Sequence, residues 1–155
     1  MFRRLFSKKR RSTQLDEERR VRRRVMPRRG ESVLVVDDSS TVRFVMSKML
    51  HESGYRVLEA NSGEDGMAMA IKHQPDIIFM DVVMPGINGF EATRKLRKNV
   101  DTQNIPIVII SGNKQAVEQF WATKIGANDY MEKPFDRREL FYRLDKALHR
   151  KQAVA

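Results

Sequence analysis

The sequence predicts an α/β protein: a doubly wound, five-stranded parallel sheet with five helices on both faces. Three observations predict this class. Short apolar runs alternate with helical segments, the apolar runs are rich in β-branched residues, and Gly, Pro or Asn separates the segments. Such alternation is typical of βαβ units with right-handed crossovers. The strand order 2-1-3-4-5 is expected by analogy with other doubly wound sheets, because hydrophobic pattern alone does not determine strand order.

The first strand–helix–strand unit begins at Ser32. The run Val33–Val36 is apolar and β-branched, which predicts a strand buried on both faces. Ser39 and its hydroxyl neighbours offer an N-cap, and apolar residues then recur at helical spacing until Gly54, a typical helix end. Residues 55–60 predict the second strand.

Three further strands and four further helices are bounded by similar signals. The helix that opens at residues 61–63 must stop before Pro75, because the residue before a proline disfavours helical geometry. Residues 77–80 and 105–110 are continuously apolar apart from one proline, and they predict the third and fourth strands. The remaining predicted elements are helices at 89–98 and 114–124, a short strand at 128–131, and a last helix capped by Asp136 and running through Leu148.

Charge divides the chain into two modules. Residues 1–30 hold 13 lysines and arginines against three acidic residues, whereas residues 31–155 hold 17 basic and 17 acidic residues. A dense block of like charge with little apolar content does not fold alone. We therefore expect a basic extension at 1–30, largely disordered or partly helical, a globular domain at 31–150 and a short tail at 151–155.

Composition also excludes several classes of protein and of site. The chain has no cysteine, so it forms neither disulfides nor thiolate metal sites. No apolar run approaches the ~20 residues that span a bilayer, and the residues after Phe6 lack the apolar region of a signal peptide. We expect a cytoplasmic protein, with peripheral contact to the inner membrane as the alternative.

Chemically reactive side chains follow four of the five predicted strands. Asp37 and Asp38 end the first strand, Asp81 ends the third, Ser111 ends the fourth, and Lys133 follows the fifth. In a parallel sheet these positions share one edge. Clustered carboxylates repel one another unless a cation is present, and an all-oxygen set suits Mg²⁺. A metal, a carboxylate nucleophile and a lysine are the parts needed for phosphoryl transfer to an aspartate.

These residues lie in motifs that resemble those of the response-regulator receiver family. The motifs are Val35-Val36-Asp37-Asp38-Ser39, Asp81-Val82-Val83-Met84-Pro85-Gly86, Ile110-Ser111-Gly112 and Tyr130-Met131-Glu132-Lys133-Pro134-Phe135. Their order and spacing match the family over about residues 32–149. The chain also contains the segment Asn88-Gly89-Phe90-Glu91-Ala92-Thr93-Arg94, and Trp121 precedes Gly126-Ala127-Asn128-Asp129-Tyr130. Within the family the chain is most similar to stand-alone receivers of the CheY and PilH type, and these two features resemble those of PilH-like regulators of twitching motility.

The resemblance implies a role for each residue of the cluster. Asp81 would be the phosphoacceptor and a sensor histidine kinase the phosphodonor. Mg²⁺ would be bound by Asp38 directly, by Asp37 through water, by Asp81, and by the backbone carbonyl of Val83. Lys133 would pair with the phosphoryl oxygens.

The resemblance also implies roles for residues around the phosphoacceptor. Ser111 would hydrogen-bond the phosphoryl group, and Tyr130 would be the aromatic residue that turns inward as Ser111 moves, although alone it also fits an edge-strand aromatic. The Lys133–Pro134 bond would be cis. Val83 and Asn113 would tune dephosphorylation, and because an apolar Val83 cannot orient water, we expect slow to moderate autodephosphorylation.

The expected output is protein binding rather than catalysis of an external reaction. The sequence after the fifth helix contains no output domain, so we expect the signal to leave by protein contact. The family resemblance implies that this contact lies on the face formed by helix four, strand five and helix five, and we expect a monomer. A phosphate sink for a shared kinase is the alternative. An aspartyl-phosphate phosphatase would need a second aspartate at the position of Val83, and a degenerate receiver would lack the intact acidic set.

The basic extension, residues 1–30, permits three interpretations. It is a solvated tail or a mis-assigned start, an anionic-membrane anchor, or a non-specific nucleic-acid contact. Phe2, Leu5 and Phe6 share one helical face beside cationic residues, as in interfacial segments. The 13 cations could contact phosphates, but nothing in the sequence indicates a recognition helix.

Overall fold

A computed structural model of the chain describes residues 30–154, without the side chains of residues 122, 123 and 149–154. The expectations for residues 1–29, including helical structure and contact with membranes or nucleic acid, lie outside the described residues. None of the helices within 30–154 combines the length and apolar character needed to cross a bilayer.

Five strands alternate with five helices. The strands are β1 (Ser32–Val36), β2 (Arg56–Ala60), β3 (Ile77–Asp81), β4 (Ile107–Ser111) and β5 (Asp129–Glu132). The helices are α1 (Ser40–Glu52), α2 (Gly63–His73), α3 (Gly89–Lys98), α4 (Lys114–Thr123) and α5 (Arg137–Val154). All neighbouring strands are parallel, in the order β2-β1-β3-β4-β5. The predicted fold class and strand order are confirmed.

Several boundaries differ from the sequence-based prediction. β2 begins at Arg56, α4 ends at Thr123 and β5 covers Asp129–Glu132, each within one residue of the predicted bounds. β4 begins at Ile107 rather than at Ile105, because Pro106 has no N–H to donate to the ladder. β3 extends one residue further than predicted, to Asp81, because this residue pairs with Ile110. The last helix continues past Leu148 to Val154.

The core consists of two layers, one on each face of the sheet. Alternate strand residues face opposite layers, as the two-residue period of a strand requires. One layer contains Leu34, Val36, Ile78, Met80, Ile107 and Ile109 with residues of α2, α3 and α4. The other contains Val33, Val35, Ile77, Phe79, Val108 and Ile110 with residues of α1 and α5. Burial on both faces explains why the central strands are apolar throughout.

Short polar side chains start the helices at the carboxyl edge of the sheet. Ser39, Ser62, Asn88 and Asn113 each accept a hydrogen bond from a backbone N–H in the first turn of α1, α2, α3 and α4, respectively. Asp136 does the same for α5, as predicted, through the N–H of Glu139 at 2.8 Å. These caps satisfy donors that a helix start leaves unpaired. The loops between strand ends and helix starts are thereby held in place.

Candidate functional site

Polar side chains at the carboxyl ends of four of the five strands lie at the same edge of the sheet. Asp37 follows β1, Asp81 ends β3, Ser111 ends β4, and Lys133 follows β5. Because the strands are parallel, their carboxyl ends lie at one edge. β1 and β3 are neighbours, so the two aspartates meet across that edge.

Asp37 is a fully buried carboxylate with a partner at each oxygen. Its Oδ1 accepts a hydrogen bond from the backbone N–H of Ser39 at 2.9 Å, and its Oδ2 accepts one from Lys133 Nζ at 2.7 Å. Its relative exposure is 0%. A buried charge is tolerated only when it is paired and hydrogen-bonded, and Asp37 satisfies both conditions.

Asp81 is held through one oxygen only. Its Oδ1 accepts hydrogen bonds from the Val82 N–H at 3.0 Å and from Lys133 Nζ at 3.2 Å. Within the described part of the chain, no hydrogen bond reaches Oδ2 of Asp81, although the residue is only 5% exposed. One oxygen of this carboxylate is therefore oriented, while the other is open to an incoming group.

Burial and neighbouring charges shift the pKa values of Asp81 and Lys133. Burial, followed by the nearby charge of Asp37, raises the pKa of Asp81 from 3.8 to about 6, against the opposing effect of Lys133. For Lys133 the largest single effect is burial, which lowers the pKa. The hydrogen bond to Asp37 and the charges of both aspartates outweigh it, so that the pKa of Lys133 is raised. At neutral pH the site thus contains a charged lysine and a largely ionised Asp81.

The acidic cluster has the composition of a divalent-cation site. Oxygen atoms of Asp37, Asp38 and Asp81 all lie within 4.8 Å of one another, and Asp38 is the exposed member. One ammonium cannot neutralise three carboxylates, which leaves a negative site lined with hard oxygen donors. Such donors suit Mg²⁺, Mn²⁺ or Ca²⁺ rather than softer metals. The residues present therefore fit a divalent cation.

Ser111 lies beside the cluster without a bond to it. The residue is 2% exposed, and its Oγ accepts a hydrogen bond from the N–H of Asn113 at 3.1 Å. Within residues 30–154, no hydrogen bond joins Ser111 to the three carboxylates. The Tyr130 hydroxyl instead donates to the Ser111 carbonyl at 3.1 Å, and the Tyr130 ring is buried. The ring, expected to turn inward as Ser111 moves, already lies inward here.

The remaining predicted site residues lie on the loops around the cluster. Val83, two residues after Asp81, has a side chain that is 64% exposed. Asn113 caps α4 by accepting a hydrogen bond from the Gln115 N–H at 2.9 Å. The peptide bond between Lys133 and Pro134 is cis.

Three residues that the strand-end pattern did not indicate also shape this edge. Arg43 donates from Nη1 to the backbone carbonyl of Asp37 at 2.6 Å. Glu64 accepts a hydrogen bond from the N–H of Ile87 at 3.1 Å, in the loop that follows β3. A Cβ atom at Gly89 would collide with the backbone carbonyl of Asp81. Arg43 lies near the start of α1 and Glu64 near the start of α2. The only sequence signal for their roles would have been a long charged residue shortly after a polar N-cap residue.

A solvent-open groove of about 430 Å³ adjoins the site along β5 and α5. Its lining residues are Tyr130, Glu132, Pro134, Phe135, Asp136, Glu139 and Arg143. On the neighbouring helix α4, Trp121 is 70% exposed and packs edge-on against Phe120, with ring centroids 5.0 Å apart. Phe120 in turn lies 5.6 Å from the Tyr130 ring. A continuous aromatic contact thus joins the surface of α4 to Ser111.

Comparisons with known proteins agree with this geometry. A family model described as the response regulator receiver domain matches residues 33–145. Protein PilH of Pseudomonas aeruginosa is 41% identical over 116 residues, which cover 75% of this chain and 96% of PilH.

Two solved structures extend the comparison to the fold. Vibrio cholerae chemotaxis protein CheY4 has a TM-score of 0.70 at 31% identity, covering 77% of this chain and 99% of that one. The receiver domain of the Pseudomonas aeruginosa sensor histidine kinase PA1611 has a TM-score of 0.71 at 31% identity, covering 77% and 98%. That domain has a magnesium ion coordinated in its active-site cleft.

Proposed function

Since this chain belongs to the response regulator receiver domain family, we propose that it is a switch controlled by phosphorylation of Asp81. A sensor histidine kinase would supply the phosphoryl group, and the modification would change binding to a protein partner. The observation that carries this proposal is the state of Asp81, a buried carboxylate with one oxygen held by Val82 and Lys133 and the other open. Such a carboxylate is oriented for nucleophilic attack.

The proposed step is an in-line phosphoryl transfer. Oδ2 of Asp81 attacks the phosphorus of a phosphohistidine, a new O–P bond forms, and the P–N bond breaks. The electron pair of the broken bond stays on the imidazole nitrogen. Lys133 Nζ, which lies 3.2 Å from Asp81 Oδ1, donates to a phosphoryl oxygen and balances the negative charge that arrives.

We propose Mg²⁺ as the cation of the site. Asp38 and Asp81 would coordinate it directly, Asp37 through a water molecule, and the Val83 carbonyl would complete the protein ligands; three clustered carboxylates support this set. The bound ion would neutralise charge on the transferring phosphoryl oxygens. Asp37, whose Oδ2 is already bonded to Lys133, is the member least free to coordinate directly.

The proposed readout runs through Ser111 and Tyr130. The Ser111 hydroxyl would donate to a phosphoryl oxygen on Asp81 and move the loop after β4. Because the Tyr130 hydroxyl is bonded to the Ser111 carbonyl and its ring contacts Phe120, a shift of Ser111 would reach α4. The groove along β5 and α5, together with the exposed Trp121, supports the face formed by α4, β5 and α5 as the partner-binding surface.

We propose that the pathway is of the chemotaxis or twitching-motility type. The support is the 41% identity to protein PilH and the likeness to chemotaxis protein CheY4. We also propose that the chain divides into a basic extension at 1–30, a receiver domain at 31–150 and a short tail at 151–155. The start of the family match at Val33 supports the first of these boundaries. A phosphate sink for a shared kinase is the alternative output.

The test is the intact mass of the protein after incubation with acetyl phosphate and Mg²⁺. Wild type should gain one phosphoryl group, and a chelator should abolish the gain. Asp81→Asn should gain none, whereas Asp65→Asn, which alters an exposed aspartate outside the cleft, should behave as wild type. If wild type gains no phosphoryl group and binds no beryllofluoride, the proposal is wrong.

Adding the cognate kinase and a second regulator of the same kinase then separates the two outputs. A phosphate sink would lower the phosphorylated fraction of the second regulator without itself binding a target. A switch would bind its target only when Asp81 is modified.

A further inference from the structure

Arg43 contacts Asp37, a member of the acidic cluster, and connects three elements of the fold. It lies in the first turn of α1, where its backbone N–H donates to the Ser39 carbonyl at 3.1 Å. Its Nη1 reaches back to the backbone carbonyl of Asp37 at 2.6 Å, and its Nε lies 3.6 Å from Glu59 on β2. The Arg43 side chain is 19% exposed, and that of Glu59 is 46% exposed. One guanidinium therefore joins α1, the end of β1 and β2.

The bond to the Asp37 carbonyl restrains the peptide that leads to Asp38. Both side-chain oxygens of Asp37 are already held, by Ser39 and by Lys133. The carboxylate of Asp38, in contrast, has no hydrogen-bond partner among the described residues and is exposed. The orientation of the peptide plane between the two aspartates determines the direction in which the Asp38 side chain leaves the backbone. Arg43 therefore restrains the peptide that directly precedes the exposed carboxylate.

The chemistry of arginine suits this task. Its planar guanidinium presents several N–H donors in a fixed arrangement, so that one N–H can bond a carbonyl while another meets a carboxylate. The short Nη1–O distance is typical of a bond from a charged donor. A lysine would keep the charge but could not make both contacts from one rigid plane.

We propose that Arg43 is a positioning residue for the divalent cation, because it holds the Asp37–Asp38 peptide in the orientation that lets both carboxylates face one ion. This inference rests on the proposed function, since it assumes that the acidic cluster binds Mg²⁺. Residues that orient metal ligands typically change metal affinity about 10- to 100-fold when they are removed. Arg43 should act on cation affinity without touching the phosphoryl donor.

The experiment is calorimetric titration of Mg²⁺ into the metal-free, full-length protein. Arg43→Met retains the aliphatic stem and removes the guanidinium, and it should weaken Mg²⁺ binding about tenfold or more. Arg43→Lys should restore at most part of the affinity. The matched control is Arg137→Met, which removes an ion pair to Glu52 at the other end of α1 and should bind Mg²⁺ within about twofold of wild type.

Each result supports or contradicts the proposal. If Arg43→Met lowers the free energy of unfolding but leaves the Mg²⁺ affinity of the folded protein unchanged, Arg43 is merely structural. Full recovery by Arg43→Lys would show that charge alone acts, which would also overturn positioning by the guanidinium plane. Should Arg43→Met not fold, Arg43→Lys alone carries the test: an Mg²⁺ affinity several-fold below that of wild type supports the proposal, and an unchanged affinity overturns it. If wild type binds no Mg²⁺, the proposed function fails before this inference is reached.

Discussion

Lys133 Nζ lies 2.7 Å from Asp37 Oδ2, although the two residues are 96 positions apart in the chain. The same ammonium lies 3.2 Å from Asp81 Oδ1, so one lysine holds two buried carboxylates. Asp37 follows β1 and Lys133 follows β5, and two strands separate them in the sheet. The lysine thereby stabilises an edge at which like charges would otherwise repel one another.

Replacing Lys133 by methionine should destabilise the metal-free protein. Two buried carboxylates would lose their common cation, and we expect the free energy of unfolding at pH 8 to fall by about 3–5 kcal/mol. Saturating Mg²⁺ should recover part of this loss, because it neutralises the same carboxylates. Urea denaturation with and without Mg²⁺ measures both effects.

The matched control for this variant is Lys95→Met. Lys95 pairs with Glu91 at 3.5 Å on the surface of α3, where both side chains are about half exposed. Surface pairs contribute little, so a change below about 1 kcal/mol is expected. Equal effects of the two substitutions would contradict a structural role for Lys133 at the cluster.

Asp81→Asn should stabilise the metal-free protein, and the gain should grow with pH. Burial and the charge of Asp37 raise the pKa of Asp81 to about 6, above its ordinary 3.8. The folded state thus binds this proton more tightly than the unfolded state. The resulting stability is present below pH 3.8 and is lost as pH rises through about 6.

The predicted gain from Asp81→Asn has an upper limit. A difference of two pKa units corresponds to about 3 kcal/mol, which should be reached above pH 7 and should vanish near pH 4. Chemical denaturation of both proteins from pH 4 to 8 without metal measures the difference. A gain independent of pH would mean that ionisation of Asp81 is not its source.

Gly89→Ala should be strongly destabilising. A Cβ atom there would collide with the backbone carbonyl of Asp81, which cannot move without disturbing the end of β3. We expect a loss of about 2–4 kcal/mol in the free energy of unfolding and weaker Mg²⁺ binding. At Gly112, by comparison, the nearest atom to an added Cβ is 3.6 Å away, an ordinary contact, so Gly112→Ala should be nearly neutral in the same assay.

Trp121 should report the state of the site by its fluorescence. It is the single tryptophan of the chain, and its ring is linked through Phe120 and Tyr130 to Ser111. Beryllofluoride with Mg²⁺ should therefore change its emission in wild type. In Tyr130→Ala, which interrupts the aromatic contact, beryllofluoride should still bind but the emission change should be lost. An unaltered response in this variant would exclude the route through Tyr130.

Val83→Asn should accelerate loss of the phosphoryl group from Asp81. Val83 is 64% exposed, so an amide at this position can reach solvent and orient a water molecule, which valine cannot do. The phosphorylated lifetime after removal of the phosphodonor is the measurement. A lifetime equal to that of wild type would show that side-chain 83 does not control water attack.

The order of elements and the edge at which the site lies were predictable from sequence. Continuous apolar runs predicted the buried central strands, and turn residues predicted where they end. Because parallel strands share one carboxyl edge, the convergence of residues 37, 38, 81 and 133 followed from the strand pattern. Fold class and strand order are confirmed, although the order itself rested on analogy.

Contacts across the edge were decided by tertiary structure alone. Sequence periodicity encodes which face of an element is buried, but not which atoms of separate loops meet. The lysine bridge at Asp37 and the Arg43 bond to the Asp37 carbonyl depend on how the sheet places strand ends and how helix caps place loops. The exposure of Trp121 and the inward ring of Tyr130 likewise depend on packing between α4 and β5.

The sequence by itself thus determined the architecture and the residue types at the site, because both follow from local patterns of burial and strand ends. Only the tertiary structure decided which oxygen of Asp81 is open and which side chain bonds the Asp37 carbonyl. Those properties arise from hydrogen bonds between residues distant in the chain, whose geometry depends on the packing of the whole domain.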